Sequence, residues 1–276
     1  MAAILPAFEA PMRKLRWGAH RIDEFAWHVR QYEAAHPVEL KYTATEIILE
    51  RAKSPPPELA LVVGDAIHNL RASLDLLACD LVRVNGKSTK NVHFPFAFDA
   101  KGLKEQIEKK NFNRASAKAI DLLHRIGPHR EGNKHLRGLH DLDLMDKHQL
   151  IIPVFQGFEA NNFKVEGPRG NIDLSEVRGP GDGFSINRNP GDTATYESIT
   201  FRVVFDETAP AVFRHIPVLE TLKGLAQVAG GVIESFRKLY VREDEPSAGP
   251  NLLSGESAEP GDSGDIRTRP ETRGSA

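Results

Sequence analysis

Four polar residues interrupt an otherwise apolar helical run: Asp65, His68, Arg71 and Asp75 in GDAIHNLRASLDLL, residues 64 to 77. At about 100° per residue, His68, Arg71 and Asp75 fall within roughly a 60° arc and Asp65 lies about 60° beyond it. Ile67, Leu70, Leu74, Leu77 and Leu81 occupy the opposite side. A histidine beside a part-buried carboxylate has a tunable proton affinity near neutrality, and an arginine beside it can stabilise negative charge. The alternative is a polar network that only holds helices in register, with Arg71 bridging Asp75 one turn on.

A second set lies in LHDLDLMDKHQL, residues 139 to 150. Asp141, Met145 and His148 share one helical face. Asp146, Lys147 and His148 stand at a helix-to-strand junction, where side chains are held yet reach solvent. Complementing the helix C-terminus is the plainer role for Lys147 and His148. His68, Arg71, Asp75, Asp146, Lys147 and His148 are therefore the expected site residues.

The elements that must position these groups follow from periodicity. Apolar residues spaced by three and four predict helices over about 11–35, 57–84, 101–111, 115–126, 133–148 and 217–241. Asn85-Gly86 and Gly127-Pro128 are stop signals. VELKYTATEIILERA, 38 to 52, reads as one or two strands, and ITFRVVFD, 199 to 206, as a half-buried strand. QLIIPVF reads as a strand, NVHFPFAFD as an extended connector, and residues 160 to 196 as turns. The fold class expected is mainly α with a β-insert (α+β): one helical-bundle domain over residues 1–241, packed against a small antiparallel sheet from strands near 38–52 and 149–206. Residues 242–276 lack an apolar pattern and read as a disordered tail.

The chain has 276 residues, a formal net charge of -2 and one cysteine, Cys79. That balance provides no bulk attraction to nucleic acid or anionic membrane, so any such contact must be local. A single thiol fits a cytoplasmic address. No apolar run reaches the ~20 residues that span a bilayer, and MAAILPAFEAPMRK is too soon interrupted to read as a signal peptide. No phosphate-binding glycine loop, GxSxG elbow, HxxxH or HExxH occurs, so neither a cofactor nor a bound metal is expected. The five histidines between 124 and 148 are spaced five, six, five and eight apart, unsuited to a helical ligand pair. Asp65, His68, Asp141 and His148 could still converge, which leaves a metal-dependent hydrolase as an alternative. KKNFNRASAK, 109 to 118, is the one basic, aromatic-bearing run.

GDAIHNLRASLDLLA, the FPF connector and LxxLxxxDKHxL together resemble a family of uncharacterised bacterial proteins that share a GDxxHNLRxxLD helix and a later DKH segment. The resemblance covers roughly residues 56 to 152. Leu76 and Leu77 stand where that pattern has a further His after LD, and Gln149 where Arg often follows DKH. More remotely, the two motifs are similar to the HEPN superfamily of helical bundles, which includes metal-independent ribonucleases marked by an Arg and a His four to six residues apart. Arg130-Glu-Gly-Asn-Lys-His135 has that spacing. The resemblance implies an RNA partner and metal-independent cleavage, with His148 or His68 as base and Arg71 or Lys147 as electrostatic partner. A homodimer through the bundle is a further expectation, and a non-catalytic interaction module is the alternative.

Overall fold

The computed structural model describes residues 6–149, 151, 153–180 and 183–240. The tail read at 242–276 lies outside them.

Helix α1 (Glu9–Ala34) and helix α2 (Glu58–Val84) form an antiparallel pair. The Phe8 N–H donates to Asp80 at one end (2.9 Å), and the Tyr32 hydroxyl donates to the Lys53 carbonyl at the other (2.6 Å). Midway, Gly18 lets the helices close, because a Cβ there would come within 2.9 Å of the Leu70 side chain. Proline residues 55–57 precede α2 and suit a helix start. Its end is a Schellman motif: Gly86, at φ 68°, donates to the Arg83 carbonyl while Lys87 donates to Val82.

The connector 91–99 crosses the bundle without regular structure but with buried Phe94, Phe96 and Ala97. Two side chains meet its backbone: Phe94 N–H donates to Asp75 (2.8 Å), and the Ala97 carbonyl accepts from Arg137 (2.9 Å). Short helices α3 (Ala100–Lys109) and α4 (Ala117–Ile126) follow, then α5 (Lys134–His148). Helix α6 (Val218–Arg237) returns to α1 and α2 and seals the core with Leu222, Leu225, Ile233 and Phe236.

The strands form two antiparallel sheets. Hairpin β1 (Val38–Tyr42) and β2 (Glu46–Arg51) takes β5 (Gly183–Asn187) as a third strand. In the other sheet β3 (Pro153–Gly167) is central, flanked by β4 (Gly170–Pro180) on one side and by β6 (Thr193–Thr195) and β7 (Ser198–Phe205) on the other. A second core lies between the sheets, from Val38, Ile47 and Leu49 against Phe158, Ala160, Phe163, Val165 and Ile199. Phe201 packs against both cores.

The turn reading of residues 160–196 is thereby corrected, since most of the segment is strand. Its alternation is hidden by Asn162, at φ 51°. That kink lets Phe158 and Ala160, of one parity, and Phe163 and Val165, of the other, face the same core. GDGFSINRNPGD likewise contains β5 rather than turns alone.

Candidate functional site

Helix α5 packs antiparallel along the polar face of α2, turn against turn. Gly64 abuts Asp146, and a Cβ on Gly64 would lie 2.5 Å from Asp146 Oδ1. One turn on, His68 Nδ1 is 3.0 Å from Asp143 Oδ1. One turn further, Arg71 Nε donates to His140 Nδ1 at 3.2 Å. The face of α5 that meets α2 is therefore His140, Asp143 and Asp146–Lys147.

The contact divides into an open and a sealed half. At the open end Asp65 is exposed, the side chains of His68 and Lys147 are 52% and 50% exposed, and Asp143 between them is 4% exposed. Asp143 serves both neighbours: Oδ1 faces His68, and Oδ2 accepts from Lys147 Nζ at 2.5 Å. With His68 Nδ1–H donated to Asp143, Nε2 is the ring nitrogen left to take a proton, an orientation assigned from the hydrogen bond. Burial raises the Asp146 carboxyl above the usual range despite an N–H from Ile151, and Asp143 and Asp65 push it the same way. Asp146 Oδ1 is buried without a hydrogen-bond partner among the described residues.

At the sealed end Arg71 is buried, with its guanidinium carbon 4.4 Å from the Phe96 ring centroid. Its Nη1 forms an ion pair with Asp75 Oδ1 at 2.8 Å, an electrostatic contact whose N–H is poorly aligned for a hydrogen bond. Asp75 also accepts the Phe94 N–H, and its Oδ2 lies 3.7 Å from His93 Nδ1. His140 stacks on Phe96 at 4.6 Å with planes 1° apart. Burial, reinforced by Arg71 and Arg137, drives its pKa down to about 3, so the ring is neutral and accepts from Arg71.

Of the sequence-expected residues, His68, Asp146 and Lys147 come together at the open end. Arg71 and Asp75 meet at the sealed end. His148 is exposed at the last position of α5, with no hydrogen bond or ion pair among the described residues. The expected face of Asp141, Met145 and His148 points elsewhere: Asp141 accepts from Arg137 (2.6 Å) and lies 3.8 Å from Arg130. The set Asp65, His68, Asp141 and His148 thus does not converge. Among the described residues no group of three or more His, Cys, Asp or Glu is placed to hold a metal.

Asp143 and His140 are not among the residues the motifs single out, although His140, Asp143 and Asp146 repeat every third residue. Other candidates resolve as structural. Ser73 Oγ donates to the Leu70 carbonyl (2.6 Å), and burial raises the Cys79 thiol. In the basic run Phe112 is buried and Arg114 clamps the Ser88 and Lys90 carbonyls. Arg130 stacks on Phe98 while His135 turns to Phe213, so these two do not form a pair. No protein-family model, curated protein or solved structure matches the chain. Among the described residues no helix is long and apolar enough to cross a membrane.

Proposed function

We propose that the chain is an RNA-directed, HEPN-like helical protein of the cytoplasm that cleaves phosphodiester bonds without a metal, at the open end of the α2–α5 contact. His68 acts as general base on a ribose 2′-hydroxyl through Nε2. The 2′-oxygen bonds to the adjacent phosphorus as the P–O5′ bond breaks to leave a 2′,3′-cyclic phosphate, and the departing 5′-oxygen takes a proton from water. Asp143 orients the His68 ring, and Lys147 stabilises charge on the phosphate. The observation that carries the reading is the exposed imidazole braced by a buried carboxylate that also holds a lysine. Such bracing sets the ring's orientation and supports the imidazolium formed when the base takes a proton. Arg71, sealed against Phe96, positions the helices rather than touching substrate.

The test is cleavage of single-stranded RNA in EDTA by the wild type and by His68→Ala, Lys147→Ala and His148→Ala. His68→Ala abolishes cleavage, Lys147→Ala lowers it roughly tenfold to a hundredfold, and His148→Ala leaves it intact. A wild type inert in EDTA, or an active His68→Ala, removes the proposal.

A second reading, a non-catalytic interaction module, is favoured by the sealed half, where Arg71 bonds to His140 and pairs with Asp75 out of reach of solvent. It retains RNA-independent stability as the function of the whole polar face, and an inert wild type with an intact fold selects it.

A further inference from the structure

Both tryptophans of the chain stand on the outer face of α1, Trp17 48% and Trp27 50% exposed. One exposed apolar ring is ordinary on a protein surface. Two on one face of one helix are not explained by the fold, because α1 already has its core face. Leu15, Gly18, Ile22 and Phe25 fill that face, against α2 and α6.

The outer face carries a regular stripe. Arg13, Trp17, His20, Glu24, Trp27 and Gln31 follow at intervals of four, three, four, three and four. At about 100° per residue they fall within roughly an 80° arc. That is the spacing of a helix–helix seam. Five of the six are exposed, and Glu24 is partly so. The indoles are held from within the helix. The Arg21 guanidinium carbon is 4.5 Å from the Trp17 ring centroid, the His20 ring is 5.3 Å from the same indole, and the His28 ring is 4.9 Å from that of Trp27. Rings already ordered lose little freedom when a partner covers them.

The order of the residues along the stripe selects the partner. Two copies of α1 laid antiparallel about the level of Ile22 bring Trp17 against the partner's Trp27 and His20 against the partner's Glu24. Arg13 then meets the partner's Gln31, and each contact occurs twice by the two-fold symmetry. Indole meets indole, and an imidazole N–H meets a carboxylate. A parallel pairing sets Glu24 against the partner's Glu24 and Arg13 against the partner's Arg13, like charges that repel. The charges therefore fit a second copy of this helix in one direction only.

We propose that the outer face of α1 is a homodimer interface, in which two copies of the chain pair antiparallel with Trp17 against the partner's Trp27 and His20 against the partner's Glu24. The seam is about 27 Å long, near the low end of specific interfaces, so association in the micromolar range is expected. Its anchors are the two indoles, which the pairing removes from water. The interface is separate from the His68 cluster on the α2–α5 contact and stands or falls without it.

The experiment follows the full chain by sedimentation equilibrium and tryptophan emission from about 1 to about 200 μM. A dimer that dissociates on dilution is expected, its emission shifting to the red as both indoles return to water. Trp17→Ala and Trp27→Ala each weaken association about tenfold or more. His20→Glu sets carboxylates face to face and weakens it too, whereas His20→Glu/Glu24→Lys restores it to within about threefold of the wild type. All four positions lie on the outer face, so circular dichroism stays unchanged in each variant, and His68→Ala dimerises as the wild type does. A chain that is monomeric throughout overturns the proposal; blue-shifted emission from that monomer assigns the face to another segment of the chain. A dimer indifferent to both tryptophan substitutions, or a double variant no tighter than His20→Glu, equally overturns it.

Discussion

The Nδ1 of His68 lies 3.0 Å from Oδ1 of Asp143, two residues 75 positions apart in the chain, one half-exposed and the other buried. The same carboxylate binds Lys147 through its other oxygen. A buried carboxylate is stable only when its lone pairs are met. Asp143 is met by two cations or donors that themselves reach solvent.

Asp143→Ala should destabilise the fold by about 1–3 kcal/mol. That is below the ~3–5 kcal/mol of a wholly buried pair, because His68 and Lys147 can rehydrate. Urea denaturation at neutral pH measures it. A loss under about 0.5 kcal/mol would mean that Asp143 braces nothing.

His140 makes stability depend on acid. Its folded pKa, about 3, lies below the ordinary 6.5. The unfolded chain therefore takes up a proton that the native state refuses, and stability is lost as pH falls from about 6.5 toward 3. The slope from this group approaches about 1.4 kcal/mol per pH unit. His140→Gln can keep an acceptor for Arg71 and should flatten that part of the curve. Parallel curves for the two proteins would refute the assignment.

Asp146 acts in the opposite sense. Its folded pKa is raised, first by burial. Its contribution is present below the unfolded value and is lost as pH rises through the folded one. Asp146→Asn should therefore raise the denaturation midpoint at pH 7 relative to the wild type, and the gain should vanish in acid. A variant less stable at pH 7 contradicts this.

Gly64 sets the α2–α5 separation. Gly64→Ala would drive a methyl to 2.5 Å from Asp146 Oδ1, so it should cost about 1–3 kcal/mol despite alanine's better helix propensity. Restoration by the double variant Gly64→Ala/Asp146→Ala is the accompanying check. Additive losses would place the strain elsewhere.

Asp75→Ala should cost about 3–5 kcal/mol, because it strands buried Arg71 and leaves the Phe94 N–H unpaired. Chemical denaturation decides it. A near-neutral change would show that Arg71 draws its support from Phe96 and His140 alone.

Much of the helical frame is legible locally. The apolar spacing in α1, α2 and α6 and the stop at Asn85-Gly86 are properties of short windows, and the structure reproduces them within a few residues. The alignment of Asp65, His68, Arg71 and Asp75 on one face is likewise a consequence of helix geometry. Strand β3 is legible only at its start, in QLIIPVF, because Asn162 breaks the alternation on which strand reading depends further along.

The sequence by itself determined the polar face of α2 and the helix that carries the second motif, since both rest on hydrogen bonds four residues apart. Only the tertiary structure decided the rotation of α5 about its axis, which brings Asp143 rather than His148 to His68. It also decided which end of the face is open. Rotation and exposure depend on packing between segments far apart in the chain: the fit of Gly64 to Asp146, and the connector laid over Arg71 by Phe94 and Phe96. No local pattern encodes either contact.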